Sequence, residues 1–121
     1  MSNVVRLAGP GQPRTVLLVE PNAPSRIEIA SYLRSRDYCV VEAINGEEAL
    51  RLLRSGRIAH IMLSGADLHE TADGDRLATA VAREFPHLQI LRAHGPIKHG
   101  PDLRGLERAI RDALSDRTQH N

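Results

Sequence analysis

The sequence VVEAINGEEAL at residues 40–50 joins a predicted β-strand directly to a predicted α-helix. The run Cys39–Ala43 is rich in β-branched and apolar residues, which favours a strand. Asn45 then occupies the position of a helix N-cap, and Glu48 follows at the spacing of a capping box. Gly56 marks the end of the helix, since glycine readily adopts the backbone conformation that terminates helices. This stretch therefore predicts one complete strand–helix unit.

The same alternation extends along the chain in both directions. Apolar runs predict three further strands, at Thr15–Val19, Ala59–Leu63 and Leu88–Arg92. These runs are nearly continuous rather than alternating with polar residues. Continuous apolar strands are typical of a sheet that is covered on both faces.

Three more helices are predicted between and after these strands. Pro24 suits the first turn of one helix, a second begins near Asp73 and is stopped by Pro86, and the last begins at Pro101. The apolar residues of each helix recur at helical spacing: Ile27, Ala30 and Leu33 in the first, Leu77, Ala80 and Val81 in the second, and Leu103, Leu106, Ile110, Ala113 and Leu114 in the last.

Alternating strand–helix units with short connections predict a doubly wound α/β fold with a parallel sheet. In a flavodoxin-like winding the strand order would be 2-1-3-4, with functional loops at the carboxyl ends of strands one and three. Those ends carry Glu20-Pro21-Asn22 and Ser64-Gly65-Ala66-Asp67. We therefore expect these two segments to meet at one corner of the molecule.

Length and composition indicate one small domain with an aliphatic core. The chain has 121 residues, of which 41% are hydrophobic and only 2% aromatic. We expect a mobile tail at residues 1–14, a folded domain at 15–116 and a short tail at 117–121. The net charge of +1 gives no field that would attract nucleic acid or a membrane. A single Cys and the absence of a long apolar run suggest a cytoplasmic protein.

From Thr15 to Leu114, the order of these features closely resembles the receiver domain of bacterial response regulators. The best single piece of the resemblance is residues 40–50. Asp73-Gly74 followed by Leu77, and Pro86-His87-Leu88 before the fourth strand, are also typical. The resemblance implies a flavodoxin-like module of two-component signalling, which a sensor histidine kinase phosphorylates on an aspartate within a phosphorelay.

The residues that carry this chemistry in the family are mostly replaced here. Two acidic residues should follow the first strand, but Glu20 is followed by Pro21, which offers no side-chain ligand. The phosphate-accepting aspartate that ends the third strand corresponds to Ser64. The Thr or Ser that ends the fourth strand in the family corresponds to Ala93, or to His94 if the register shifts by one residue, and the lysine of the family corresponds to Lys98. The resemblance thus implies a receiver without receiver chemistry, with no catalytic residue, cofactor or metal ion.

The chain is also too short for five strand–helix units. A further helix, strand and loops would need about 20 residues. Only Pro96-Ile97-Lys98-His99-Gly100 separates Gly95 from Pro101. The fourth helix and fifth strand of the family are therefore expected to be missing.

Two functional hypotheses follow from the resemblance. The favoured one is an atypical stand-alone receiver-like protein, a pseudo-receiver, that binds a sensor histidine kinase, another regulator or a second copy of itself without being phosphorylated. It would not be an enzyme. The alternative is a genuine response regulator in which a displaced acceptor, Asp67, is phosphorylated with the help of Glu20 and Mg²⁺.

The missing unit would leave the fourth strand at the edge of the sheet. An exposed edge strand is a template for pairing with another chain. We expect a homodimer whose interaction surface comprises Leu88, Ile90, Leu91, Leu103, Leu106 and Ile110. Alternatively, the final helix shifts over the gap, or the segment from Pro96 to Gly100 covers the edge.

Overall fold

A computed structural model describes residues 13–65, 72–92 and 101–119, without the side chains of residues 72–73, 101–102 and 116–119. Four strands and four helices alternate in this part of the chain. In order they are β1 (Thr15–Val19), α1 (Ala23–Ser35), β2 (Cys39–Ala43), α2 (Gly46–Arg54), β3 (Ile61–Ser64), α3 (Ala72–Glu84), β4 (Gln89–Arg92) and α4 (Pro101–Gln119).

The strands form one parallel sheet in the order β2-β1-β3-β4, as predicted. Leu17 is in register with Val41 on one side and with Met62 on the other, and Met62 is in register with Ile90. The two central strands are buried, whereas β4 is half-buried along its length. The fold is therefore the doubly wound α/β arrangement expected from the alternating pattern.

Side chains on the two faces of the sheet form two separate apolar clusters. On one face, Val16, Leu18, Ile61 and Leu63 pack with residues of α1 and α4. On the other, Leu17, Val19 and Met62 pack with residues of α2 and α3. Alternation of side chains along each strand separates the two sets.

The predicted helix boundaries at α2 are confirmed. The Asn45 side chain accepts a hydrogen bond from the Glu48 amide at 2.8 Å, and the Glu48 side chain accepts one from the Ile44 amide at 2.7 Å. Glu48 thus reaches one residue further back than in the usual capping box. Gly56, with a φ of 99°, follows the C-cap residue Ser55 and ends the helix.

Two predictions on the elements were wrong. Ile27 is 57% exposed, and Ile29 takes its place in the core beside Ala30 and Leu33. The packing of α1 on the sheet decides which face of the helix is buried, and helical spacing alone does not determine that face. The strands β3 and β4 begin later than predicted. The last helix continues through Gln119.

The last helix packs on the edge strand β4. Leu91 packs against the cluster formed with α1 and α4, and the Gln89 side chain donates a hydrogen bond to the Ala113 carbonyl at 2.9 Å. Leu103 and Ile110 are buried within the monomer, so these two residues cannot form the accessible surface expected from the sequence. Leu88, Ile90, Leu91 and Leu106 are half-buried. The final helix therefore covers one face of β4.

Candidate functional site

The carboxyl ends of β1 and β3 lie side by side, as the sheet order requires. Val19 and Ser64 are in register, and the Gly65 amide donates a hydrogen bond to the Val19 carbonyl at 2.9 Å. The Glu20 amide donates to the Ala43 carbonyl at 3.0 Å. These bonds bring Glu20 and Ser64 to the same corner, which confirms the placement predicted for them.

The Glu20 carboxylate is turned inward rather than toward solvent. Glu20 is only 3% exposed, and its Oε2 accepts a hydrogen bond from the Asn22 amide at 2.8 Å. The carboxyl group also lies against the backbone of Gly65, where an added Cβ would stand 2.7 Å from the Glu20 Cδ. Glu20 therefore fills the space above the end of β3.

Ser64 ends β3 as a buried hydroxyl. It is 4% exposed, and its hydroxyl has no hydrogen-bond partner among the described residues. A neutral hydroxyl is a weak nucleophile unless a base lies beside it. Pro21 is exposed and offers no side-chain oxygen. Among the residues that the structure describes, the ends of β1 and β3 thus contribute one carboxylate and one inaccessible hydroxyl.

Two arginines lie near this corner, and no pattern in the sequence indicated their contacts. The Arg26 Nη1 donates to the Glu20 carbonyl at 2.9 Å, and its Nε lies 3.4 Å from a carboxylate oxygen of Glu42. Arg92 is in register with Ser64, and its Nη1 lies 3.6 Å from Asp75 Oδ1. Each of these arginines is thus paired with an acidic side chain.

Within the described ranges, no three His, Cys, Asp or Glu side chains are grouped so that they could hold a metal ion. Several residues that the sequence analysis singled out cannot be placed, because Asp67, Ala93 and Lys98 lie outside those ranges. None of the described helices has the length and apolar character needed to cross a membrane.

A second polar cluster, which the sequence analysis missed, surrounds Glu107 on α4. Glu107 is 6% exposed and accepts hydrogen bonds from Arg36 at 3.2 Å and Arg111 at 3.0 Å. The Tyr32 hydroxyl donates to it at 3.4 Å. A signal was present in the sequence, because position 107 falls on the same helical stripe as the core residue Leu103.

Opposing effects act on the ionisation of this cluster. Burial by itself would raise the pKa of Glu107, but hydrogen bonds and charges from Arg111 and Arg36 outweigh it and lower the pKa. Burial and the nearby Glu107 charge raise the pKa of Tyr38, partly opposed by Arg111. The cluster joins α1 and the residues that follow it to α4, and has the character of a structural ion pair.

Comparison with known proteins identifies the architecture. No family model matches the sequence, and a search of curated proteins finds no significant match. Solved structures do match. A CheY-like receiver domain from Methanospirillum hungatei JF-1 aligns over 90% of this chain and 99% of its own, with a TM-score of 0.74 and 14% identity. The chain has the receiver-domain fold.

Other receiver domains align equally well. The signal receiver domain of an HD domain-containing protein from Pseudomonas fluorescens Pf-5 shares 19% identity over 88% of this chain and 98% of its own, with a TM-score of 0.72. The response regulator protein TrrA from Thermotoga maritima, solved in complex with Mg(2+)-BeF, shares 17% identity over 83% and 98%, with a TM-score of 0.68. The described sheet of four strands is shorter than the usual five strand–helix units of this fold.

Proposed function

We propose that the protein is a pseudo-receiver of two-component signalling, which acts by binding other proteins without being phosphorylated. The observation that carries this proposal is the chemistry of the corner where β1 and β3 end, which is where the resemblance places the phosphate acceptor. The residue that ends β3 is Ser64, a neutral hydroxyl that is almost completely buried. The nearby carboxylate, Glu20, is also buried and accepts a hydrogen bond from the Asn22 amide.

Phosphoryl transfer to a carboxylate needs a divalent cation that neutralises charge on the phosphoryl oxygens. Magnesium requires several oxygen ligands held together. Glu20 is the one side-chain carboxylate that the carboxyl ends of β1 and β3 contribute within the described residues, and Pro21 adds none.

The test is incubation with Mg²⁺ and acetyl phosphate, followed by intact-mass measurement. We expect no phosphoryl adduct, and no saturable Mg²⁺ binding in a titration of the protein. An adduct that disappears in Asp67→Asn, together with Mg²⁺ binding that disappears in Glu20→Gln, would instead support the alternative of a displaced acceptor. A parallel incubation of the protein with acetyl phosphate but without Mg²⁺ is the control for acylation and other adducts that form without the metal.

The proposed partners are a sensor histidine kinase, another regulator, or a second copy of the chain. Affinity capture from native cells, with Ser64→Asp for comparison, tests this part of the proposal. A phosphorylation-independent module should capture the same partner in both forms. Capture by Ser64→Asp alone would mean that negative charge at the acceptor position controls binding.

The edge strand supports the proposal of a homodimer. β4 is the last strand of the described sheet, and its side chains are half-buried. Pairing of two such edges would satisfy backbone groups and cover Ile90 and Leu91. The final helix already covers one face of the strand, so the proposed contact is smaller than the surface expected from the sequence.

Sedimentation velocity tests this prediction. We expect the wild-type chain to dimerise and Ile90→Lys to remain monomeric, because a charged side chain on the edge strand opposes pairing. Ile44→Lys, at an exposed isoleucine that follows β2, is the matched control. Circular dichroism must show that both variants are folded. A wild-type protein that stays monomeric at high micromolar concentration would exclude the dimer.

A further inference from the structure

A cleft of about 440 Å³ opens at the amino ends of β1, β3 and β4, at the opposite end of the sheet from Glu20 and Ser64. Its volume lies within the range of about 300–1,000 Å³ that is usual for small-molecule sites. We call it the amino-end cleft; the lining residues that matter here are Arg14, Arg57, Ile58, Phe85, Leu88 and Leu114.

The apolar part of the amino-end cleft is exposed to an unusual degree. Ile58 is 77% exposed, more than Ile27 and Ile44, the other exposed isoleucines in the part of the chain that the structure describes. It lines the cleft together with Phe85, the only Phe of the chain, and Leu88. Leaving apolar area in water costs about 25 cal/mol per Å². A ligand that covers Ile58 would therefore gain binding free energy.

The charged part of the cleft is basic. Arg14 and Arg57 are exposed, and neither forms an ion pair within the described part of the chain. The acidic residue of the lining, Glu84, is already paired with Arg54, which donates two hydrogen bonds to it at 2.9 and 2.6 Å. The cleft thus presents two guanidinium groups without carboxylate partners beside an apolar surface.

We propose that the amino-end cleft binds a small amphipathic anion, a molecule with a carboxylate, sulfonate or phosphate group attached to an aromatic or aliphatic body. The anionic group would pair with Arg14 and Arg57, and the body would lie on Ile58, Phe85 and Leu88. Guanidinium groups favour this class because they donate paired hydrogen bonds to planar or tetrahedral oxyanions.

The chain's own N-terminal segment is a poorer occupant. Residues 1–12 precede Arg14 closely in sequence but contain Arg6 and no acidic residue, so their charge does not complement the lining. A second copy of the chain is also disfavoured, because the arginines of each cleft would repel those of the other. Charge complementarity therefore selects the small anion.

The test uses anilinonaphthalene sulfonate, an anionic aromatic fluorophore, with the full chain. We expect one saturable site, with amide chemical-shift changes in NMR spectra concentrated at the residues lining the cleft. Arg57→Gln should weaken binding about fivefold, as expected for an exposed ion pair of about 1 kcal/mol. The uncharged analogue phenylnaphthylamine should bind more weakly and be insensitive to Arg57→Gln.

Matched variants distinguish the cleft from non-specific binding. Arg51→Gln removes an exposed arginine on the same helix–loop segment but outside the cleft, and should leave binding unchanged. Ile58→Ser should weaken binding at least as much as Arg57→Gln, whereas Ile27→Ser should not. Four results would each overturn the proposal. Affinity could fall equally in the target and control variants, or the chemical-shift changes could be spread over the whole protein. Binding could also fail to saturate, or it could weaken as the protein concentration rises.

Discussion

Replacing Gly65 with alanine is expected to lower the free energy of unfolding by about 1–2 kcal/mol. The new Cβ would collide with the Glu20 carboxyl group. Relief requires that buried group to turn away from Gly65, and this movement weakens the hydrogen bond that its Oε2 accepts from the Asn22 amide. An alanine also restricts the unfolded chain, which stabilises the protein by about 0.4–1 kcal/mol and offsets part of the loss. Urea unfolding measures the net change.

A double-mutant cycle with Glu20→Ala identifies the cause. Without the Glu20 carboxyl group, the Cβ added at position 65 would still lie 3.3 Å from the Cβ of residue 20, which is a close contact but not a collision. Gly65→Ala should then be neutral or slightly stabilising, which gives a coupling free energy of about 1–2 kcal/mol. Gly105→Ala, at a helical glycine with no atoms near an added Cβ, is the control and should stabilise the protein. Equal losses in both Glu20 backgrounds would contradict the geometry.

Replacing Glu107 with glutamine is expected to lower the free energy of unfolding by about 1–2 kcal/mol at neutral pH. Glutamine keeps the shape of the side chain but removes the charge that Arg36 and Arg111 contact. The loss should be moderate, because both arginines are about half exposed and can be hydrated again. Glu84→Gln breaks an exposed ion pair and should have a much smaller effect.

The loss at Glu107 should depend on pH in a definite direction. Because the pKa of Glu107 is lower in the folded state than in the unfolded chain, its stabilisation is complete above the unfolded pKa of about 4.3. That stabilisation disappears as the pH falls through the folded pKa. Wild type should therefore lose stability more steeply in acid than Glu107→Gln, and the two curves should converge. Parallel curves would mean that the carboxylate is not the stabilising group.

The sequence determined the order of the elements and the start of α2, although β3 and β4 begin later than their apolar runs indicate. The spacing of apolar residues and the capping residues were sufficient for this. Asn45 caps its helix through a hydrogen bond to a residue close in sequence. Apolar runs recur wherever a strand is buried. The resemblance also placed Glu20 and Ser64 at one corner, since parallel strands align their carboxyl ends. These features depend on neighbours along the chain or on the sheet order alone.

Tertiary structure alone decided which side chains these elements bury and what they contact. Glu20 turns inward over Gly65, and Glu107 enters the core beside partners more than seventy positions away in α1. The choice of Ile29 over Ile27 and the packing of α4 on β4 likewise depend on how distant elements meet. The local sequence pattern determines whether a segment forms a helix or a strand. Which side chains are buried, and which of them form ion pairs or hydrogen bonds, depends on surfaces that only the folded chain brings together.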